Sequence, residues 1–386
     1  MVLLVNSNGS QAMGRVFPAF RYISPLLWIS MAAIMTFEEQ YRVSVIPLLL
    51  AAGFLELAQS RGINLYSYSM ATRLLILLKV FLLAVSAIKV IIFNLDISSI
   101  IYFFLPPYTI LILSMALVRI PPMEFLRVFC VGALSIALVL LAFYVAGVDM
   151  VASDNSIAAL FFIGILYPAA RRRMRMQIVL SVVAVIVAWY VNARLVMLMP
   201  VILLVFNMWR GSAILKILSP LIIVAVAGGS IFFTFNFNRE LNDILTNRVI
   251  IWNLYGDRIE DRPLSGHAGI EESVAEEIAD DVGLYARRGV NSAYGTQNLF
   301  VRYAYEDGLV AVSAIALIIL GVAWRSPRVR PAVIALLPAC ALESLKIGVP
   351  SLWGIPLLLV ILMAAQDGRT GKIAARGGVS RGKPHS

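Results

Sequence analysis

GDRIEDRPLSGHAG, residues 256–269, is a polar island. It holds Asp257, Arg258, Glu260, Asp261, Arg262 and His267, one of only two histidines in the chain. The surrounding protein is the opposite: 60% of its 386 residues are apolar and 14% are charged, where a soluble domain averages about 25% charged. The mean hydropathy is +0.87. Which side of which boundary such a stretch occupies decides how the rest of the chain is read.

On either side of it, apolar runs recur at the length that crosses a bilayer as a helix. They do not alternate apolar with polar residues as barrel strands do. The expected fold class is therefore an all-α polytopic membrane protein. About twelve transmembrane helices are expected, at 17–37, 43–57, 74–93, 97–118, 125–147, 156–170, 178–191, 195–209, 213–234, 299–324, 331–349 and 351–365. The opening MVLLVNSNGSQAMGR lacks a basic region followed by an apolar core and a cleavage site, so no cleaved signal peptide is expected.

The connectors orient these spans. With the N-terminus in the cytoplasm and the spans alternating, the inner segments carry Arg15, Arg21, Arg61, Arg73, Arg119, Arg127, Arg171, Arg172, Arg173, Arg175, Arg210, Lys216, Arg325, Arg328, Arg330 and the basic residues of the tail. The short outer connectors carry Arg42, Arg194 and Lys346. Lysine and arginine accumulate on the cytoplasmic side of membrane proteins. The net charge of +10 therefore reads as topology, and no nucleic-acid partner is expected. Cys130 and Cys340 both lie inside apolar runs and read as packing residues, not as a disulfide or metal framework.

This orientation divides the chain into 1–234 with spans one to nine, 235–298 as a large outer loop, 299–365 with spans ten to twelve, and 366–386 as a disordered, basic cytoplasmic tail touching anionic lipid. The opening stretch falls in the outer loop. Upstream of it, Leu241, Leu245, Arg248, Trp252, Tyr255 and Ile259 share one helical stripe that Pro263 ends. Downstream, Ile270, Val274, Ile278 and Val282 recur every four residues among acids, which reads as a second, amphipathic helix. Gly266 and Gly269 join the two.

Several polar residues in this region carry potential chemistry. Arg194 stands between two spans with almost no connector, where a charge faces a protein interior, an aqueous cavity or the interface. Arg248 interrupts an apolar stripe, and a buried arginine requires an anionic partner. Arg258 and Arg262 follow on later turns. The planar guanidinium makes paired hydrogen bonds to phosphate and keeps its charge, so Arg194, Arg248 and Arg258, supported by Arg262, are candidate anchors for a diphosphate. His267 can act as a general base near neutral pH or be a solvated loop residue. Glu306 stands at the outer mouth of the tenth span, where desolvation turns a carboxylate into a better base, or where it pairs with Arg302 four residues earlier. The acids of 271–281 follow a solvated helix face and not a ligand shell. No metal and no cofactor are expected.

Arg248-x3-Trp252, then Pro263-Leu264-Ser265-Gly266 and Gly269, then Gln297-Asn298-Leu299 and Glu306-x-Gly308 together resemble the O-antigen ligase/polymerase superfamily. So do an arginine like Arg194 before an upstream span, about twelve spans, and a large loop between spans nine and ten. The resemblance covers 178–324 in motif and the whole chain in topology. It implies metal-independent glycosyl transfer at the periplasmic face of the bacterial inner membrane, with arginines holding the diphosphate of an undecaprenyl-diphosphate-linked glycan. Membrane lipids are implied partners, as are a flippase and a chain-length regulator of the same pathway. Ligases of the family transfer the glycan to lipid A-core, and polymerases transfer it to another repeat unit. Ligases typically carry a His-Asn pair where this chain reads Gln297-Asn298. Glutamine cannot be a base, so among the catalytic candidates Gln297, Glu306 and His267 either one of the last two is the base or proton removal matters little, with Asn298, Gly266 and Gly269 as supporting residues. The spacing Arg258-x10-Gly269 also fits polymerases. The expected function is a polymerase of repeat units for O-antigen, capsule or exopolysaccharide, with an O-antigen ligase and a lipid-linked glycan flippase as the alternatives. No twofold internal repeat is evident, which argues against a symmetric transporter.

Overall fold

A computed structural model describes residues 20–34, 45–59, a few positions between 73 and 84, 97–148, 155–245, 248–267, 298–343 and 351–364. The third expected span, the acidic second loop helix, Gly269, Gln297 and the basic tail fall largely or wholly outside these residues. All regular structure among the described residues is α-helical. The helices are α1 (Phe20–Ile34), α2 (Val45–Gln59), α3 (Ile97–Arg119), α4 (Pro122–Val145), α5 (Asn155–Ala170), α6 (Met174–Tyr190), α7 (Arg194–Met208), α8 (Ala213–Phe235), α9 (Arg239–Ile244), α10 (Arg248–Asp261), α11 (Leu299–Asp307), α12 (Leu309–Arg325) and α13 (Arg330–Glu343). Gly354–Ala364 forms α14. Of these, α4 and α8 are both at least 18 residues long and apolar enough to cross a membrane, and shorter apolar helices surround them.

The middle of the bundle is α5, buried without interruption from Ser156 to Ala169. A helix apolar on every side has no solvent face, so its neighbours enclose it. It packs against α4, α6 and α7. The Cys130 thiol of α4 donates to the Ile163 carbonyl at 3.2 Å, and the Phe162 and Trp353 rings lie 6.1 Å apart. Both cysteines are buried and unbridged.

Helix α6 is amphipathic in the reverse of the usual sense. Gln177 and Ser181 point into the bundle with Ala184 and Ala188, while Ile178, Val179, Val182, Val183 and Ile186 are exposed. The buried Gln177 accepts from the Asn207 amide of α7 at 2.6 Å, so polarity is placed where it can be hydrogen-bonded and hydrocarbon covers the outside.

The two ends of the bundle differ. At one end Arg210, following α7, donates to the Ala169 and Ala170 carbonyls at 3.4 and 3.2 Å. Arg330 donates from Nε and Nη2 to the Ala323 and Trp324 carbonyls at 2.7 and 3.0 Å. Each arginine supplies positive charge and hydrogen bonds to the exposed carbonyls of a helix C-terminus. A cleft lined by Leu126, Ala169, Asn207, Arg328 and Met363 brings α4, α5, α7, α14 and the α12–α13 turn to this same end. At the other end the Tyr144 and Tyr190 rings meet edge to face at 5.8 Å, and the last turn of α8 receives helix α10.

Two expected elements are built differently. The stripe from Leu241 to Ile259 is two helices, not one. Asn242 is buried within α9 and its side-chain oxygen accepts from the Ile250 backbone N–H at 3.0 Å, which ties the first turn of α10 to α9. The tenth span, expected as continuous over 299–324, breaks at Gly308, whose φ of 85° ends α11 and starts α12.

Candidate active site

The site lies where α10, the segment after it and the α11–α12 break converge. Helix α10 is seated first. Its buried face is Val249, Ile251, Trp252, Tyr255, Gly256 and Ile259; Trp252, Tyr255 and Ile259 belong to the expected stripe, whereas Arg248 is half-buried. Asn253 donates to the Thr234 carbonyl in the last turn of α8 at 3.0 Å. Gly256 lies so close that a Cβ there would meet the same Thr234 oxygen at 2.5 Å. Only glycine permits this approach of helix to helix end.

After Asp261 the chain turns and locks onto the α11–α12 break. The Leu309 N–H donates to the Pro263 carbonyl and the His267 N–H to the Tyr305 carbonyl, both at 2.7 Å. Gly266 and Gly308 have φ of 65° and 85°, a region that costs other residues steric strain. Each also faces the opposite backbone. A Cβ on Gly266 would meet the Glu306 carbonyl at 2.4 Å, and one on Gly308 the Leu264 oxygen at 2.1 Å. The Pro-Leu-Ser-Gly segment and the Glu-x-Gly segment, read separately in the sequence, are the two halves of one clasp.

The clasp fixes His267. Its Nε2 donates to the Arg258 carbonyl at 2.5 Å; since a carbonyl only accepts, Nε2 carries the proton and Nδ1 holds the lone pair in the neutral ring. The imidazole stacks on Tyr305, with centroids 5.1 Å apart and planes 9° from parallel. Tyr305 in turn meets Tyr255 edge to face at 5.0 Å. Burial lowers the His267 pKa below its ordinary 6.5. The bond to the Arg258 carbonyl and the Asp261 charge oppose this, while the Arg262 and Arg258 charges add to it. The net result is a neutral imidazole, close to two arginines, at neutral pH.

Helix α11 presents the other titratable group. Asn298 caps it, its side-chain oxygen accepting from the Phe300 and Val301 N–H groups at 2.9 and 3.2 Å. Asparagine here does the ordinary work of an N-cap. Glu306 is buried at 4% exposure and accepts from Arg302 Nε at 2.7 Å. Of the two sequence readings of Glu306, the structure builds the pair with Arg302.

The proposed diphosphate anchors lie at the start of α7 and at the two ends of α10. Arg258, Arg262 and His267 share one locality. Arg248 begins α10, ten residues and therefore roughly 15 Å of helix from Arg258. Arg194 begins α7 and is exposed. Gln297 and Gly269 lie outside the described residues. Sequence reading missed Tyr255 and Tyr305 as the aromatic seat of the histidine; their i+3 and i−1 relations to Trp252 and Glu306 are ordinary core spacings. Among the described residues no three histidine, cysteine, aspartate or glutamate side chains are grouped to hold a metal ion. No family model matches this chain, and no curated protein matches it.

Proposed function

We propose that this chain is an integral membrane glycosyltransferase that polymerises repeat units carried on undecaprenyl diphosphate, working at the periplasmic face of the bacterial inner membrane. The observation that carries the reading is the clasped cluster of Arg258, Arg262 and His267, held at the end of an apolar bundle opposite the arginine-rich end. A lipid-linked sugar donor needs cations where a membrane surface meets water, and the proposed topology puts this cluster there. The reversed polarity of α6 supports a lipid solvent, since soluble proteins rarely expose continuous apolar faces of this extent. About twelve spans with both termini in the cytoplasm complete the reading.

In the proposed reaction an acceptor sugar hydroxyl attacks the anomeric carbon of the donor glycan. The bond from that carbon to the diphosphate oxygen breaks, and the diphosphate leaves with the electron pair. The hydroxyl proton passes to a base of the site. Arg258 and Arg262 stabilise the charge growing on the leaving diphosphate, as preplaced cations do in a partly dry site. Arg194, on α7, and Arg248, at the opposite end of α10 from Arg258, are suited to the second lipid-linked substrate or to the glycan, not to the same diphosphate. Gln297 in place of a histidine favours polymerase over ligase.

Purified protein given only the correct undecaprenyl-diphosphate repeat unit, with chelator present, is expected to produce a ladder of longer glycans still attached to lipid. Arg258→Ala should reduce the rate about 10- to 100-fold, and Arg258→Lys should restore little of it because a point charge lacks the fork. Transfer that begins only when lipid A-core is added would replace the polymerase by a ligase. Transmembrane movement of intact substrate without any glycosidic bond formed would make the chain a flippase.

A further inference from the structure

The lipid-facing surface of the bundle is not of uniform height. Helix α8 has 23 residues and α4 has 24. On α8 the exposed apolar surface of Ile217, Leu221, Val224, Phe232 and Phe235 lies between exposed Lys216 and exposed Asn236, a rise of about 30 Å, which matches an ordinary hydrocarbon core of about 30 Å.

The flank formed by α6 and α7 is shorter. On α6 the exposed apolar surface lies between exposed Arg175 and the exposed rings of Trp189 and Tyr190, about 21–23 Å apart along the axis. On α7 it lies between exposed Arg194 and exposed Trp209, again about 22 Å. The limits are therefore arginine or an amphipathic aromatic ring at both ends of both helices, the residue types that sit at the interface. Tilting would shorten this belt further. The helices cannot slide to compensate, because the buried Gln177–Asn207 bond fixes α6 against α7 and Arg210 fixes α7 against the end of α5.

We infer that the α6–α7 flank locally thins the bilayer by about 8 Å and so selects lipids with short acyl chains, while the α8 flank takes chains of ordinary length. The occupant is lipid and not a second copy of the chain, because the face carries no polar group of its own between its charged and aromatic limits. A depressed outer leaflet also brings lipid phosphates down to the level of Arg194. The inference rests only on the membrane-spanning part of the proposed function and is independent of the glycosyl transfer.

Tryptophan fluorescence reads it directly. The chain has six tryptophans. Trp28, Trp252 and Trp353 are buried, whereas Trp189, Trp209 and Trp324 are exposed. Trp189 and Trp209 flank the thin side, and Trp324 lies under Lys216 of α8 at 4.7 Å. Full-length protein is reconstituted into phosphatidylcholine vesicles containing dibrominated phosphatidylcholine of 14 or 18 carbons, whose bromines quench only the rings they touch. In Trp324→Phe, which keeps Trp189 and Trp209, the 14-carbon lipid should compete for contact at least about twofold better than the 18-carbon lipid. In Trp189→Phe/Trp209→Phe, which keeps Trp324, that preference should vanish or reverse. Equal preferences at the two flanks would overturn the inference while leaving the membrane reading standing. A chain-length preference that disappears only on disrupting a dimer would assign the flank to a second copy and also overturn it. No quenching by either lipid would remove the membrane reading itself.

Discussion

At Gly308 two demands coincide: a φ of 85° and a place for the Leu264 carbonyl, which a Cβ would meet at 2.1 Å. Gly308→Ala should therefore cost about 2 kcal/mol or more through backbone strain alone, with the steric conflict added. The expected result is a lower unfolding temperature in detergent together with faster proteolysis near residue 264. An unchanged protein would mean that the two backbones do not meet there. Of this residue-level detail, the sequence showed that Gly266, Gly308, His267 and Glu306 were polar or flexible punctuation in an apolar chain. It did not show that they touch, because contact between residues 40 positions apart depends on how α10 and α11 dock. Glu306 illustrates the gap: an i, i+4 arginine made the ion pair readable, and burial at 4% exposure then separates it from water in a way that spacing cannot reveal.

His267 gives the clasp a pH dependence whose sign follows from its environment. Burial lowers its folded pKa below the ordinary 6.5, so the docked segment favours the neutral ring. The stabilisation is complete above about pH 6.5 and is lost as pH falls through the lowered folded value. Amide exchange of the His267 N–H, which donates to Tyr305, should be well protected at pH 7.5 and, after correction for intrinsic exchange, less so at pH 5. His267→Gln should remove this dependence. Protection that rises on acidification would reverse the assignment of burial as the dominant cause.

At the scale of elements, the seating of α10 on α8 holds the site to the bundle. Gly256→Leu would push the helix off the Thr234 carbonyl, and overpacking of this kind costs about 1–3 kcal/mol. The variant should lower the unfolding temperature and weaken protection of α10 more than that of α5. Equal loss across the molecule would contradict a locally docked helix. Most elements were legible from hydropathy and from where arginines and prolines fall; the bounds of α5, α6, α7 and α8 lie within a few residues of the expected spans. Two breaks were not. The α9–α10 break is bridged by Asn242, which serves the Ile250 N–H, and the Gly308 break depends on the opposite loop. Both are tertiary hydrogen-bond or packing decisions, and an apolar stripe passes over them unchanged.

Over the whole molecule the bundle has two chemically different ends. Arg171, Arg172, Arg173, Arg175, Arg210, Arg325, Arg328 and Arg330 belong to one end, where Arg210 and Arg330 hold helix C-termini. The clasp, with Arg258, Arg262 and His267, belongs to the other. This polarity was legible in the sequence, since alternating connectors and the distribution of arginine follow from bilayer physics and need no tertiary detail. Where Arg194, Arg248 and Arg258 stand relative to one another was not legible, because a linear pattern carries no distance between elements. The central claim is that these two ends lie on opposite sides of the inner membrane. It is tested most directly by fusing a reporter active only in the periplasm, and one active only in the cytoplasm, after Asp261 and after Arg172. The account predicts periplasmic activity at Asp261 and cytoplasmic activity at Arg172; the same compartment for both positions would contradict it.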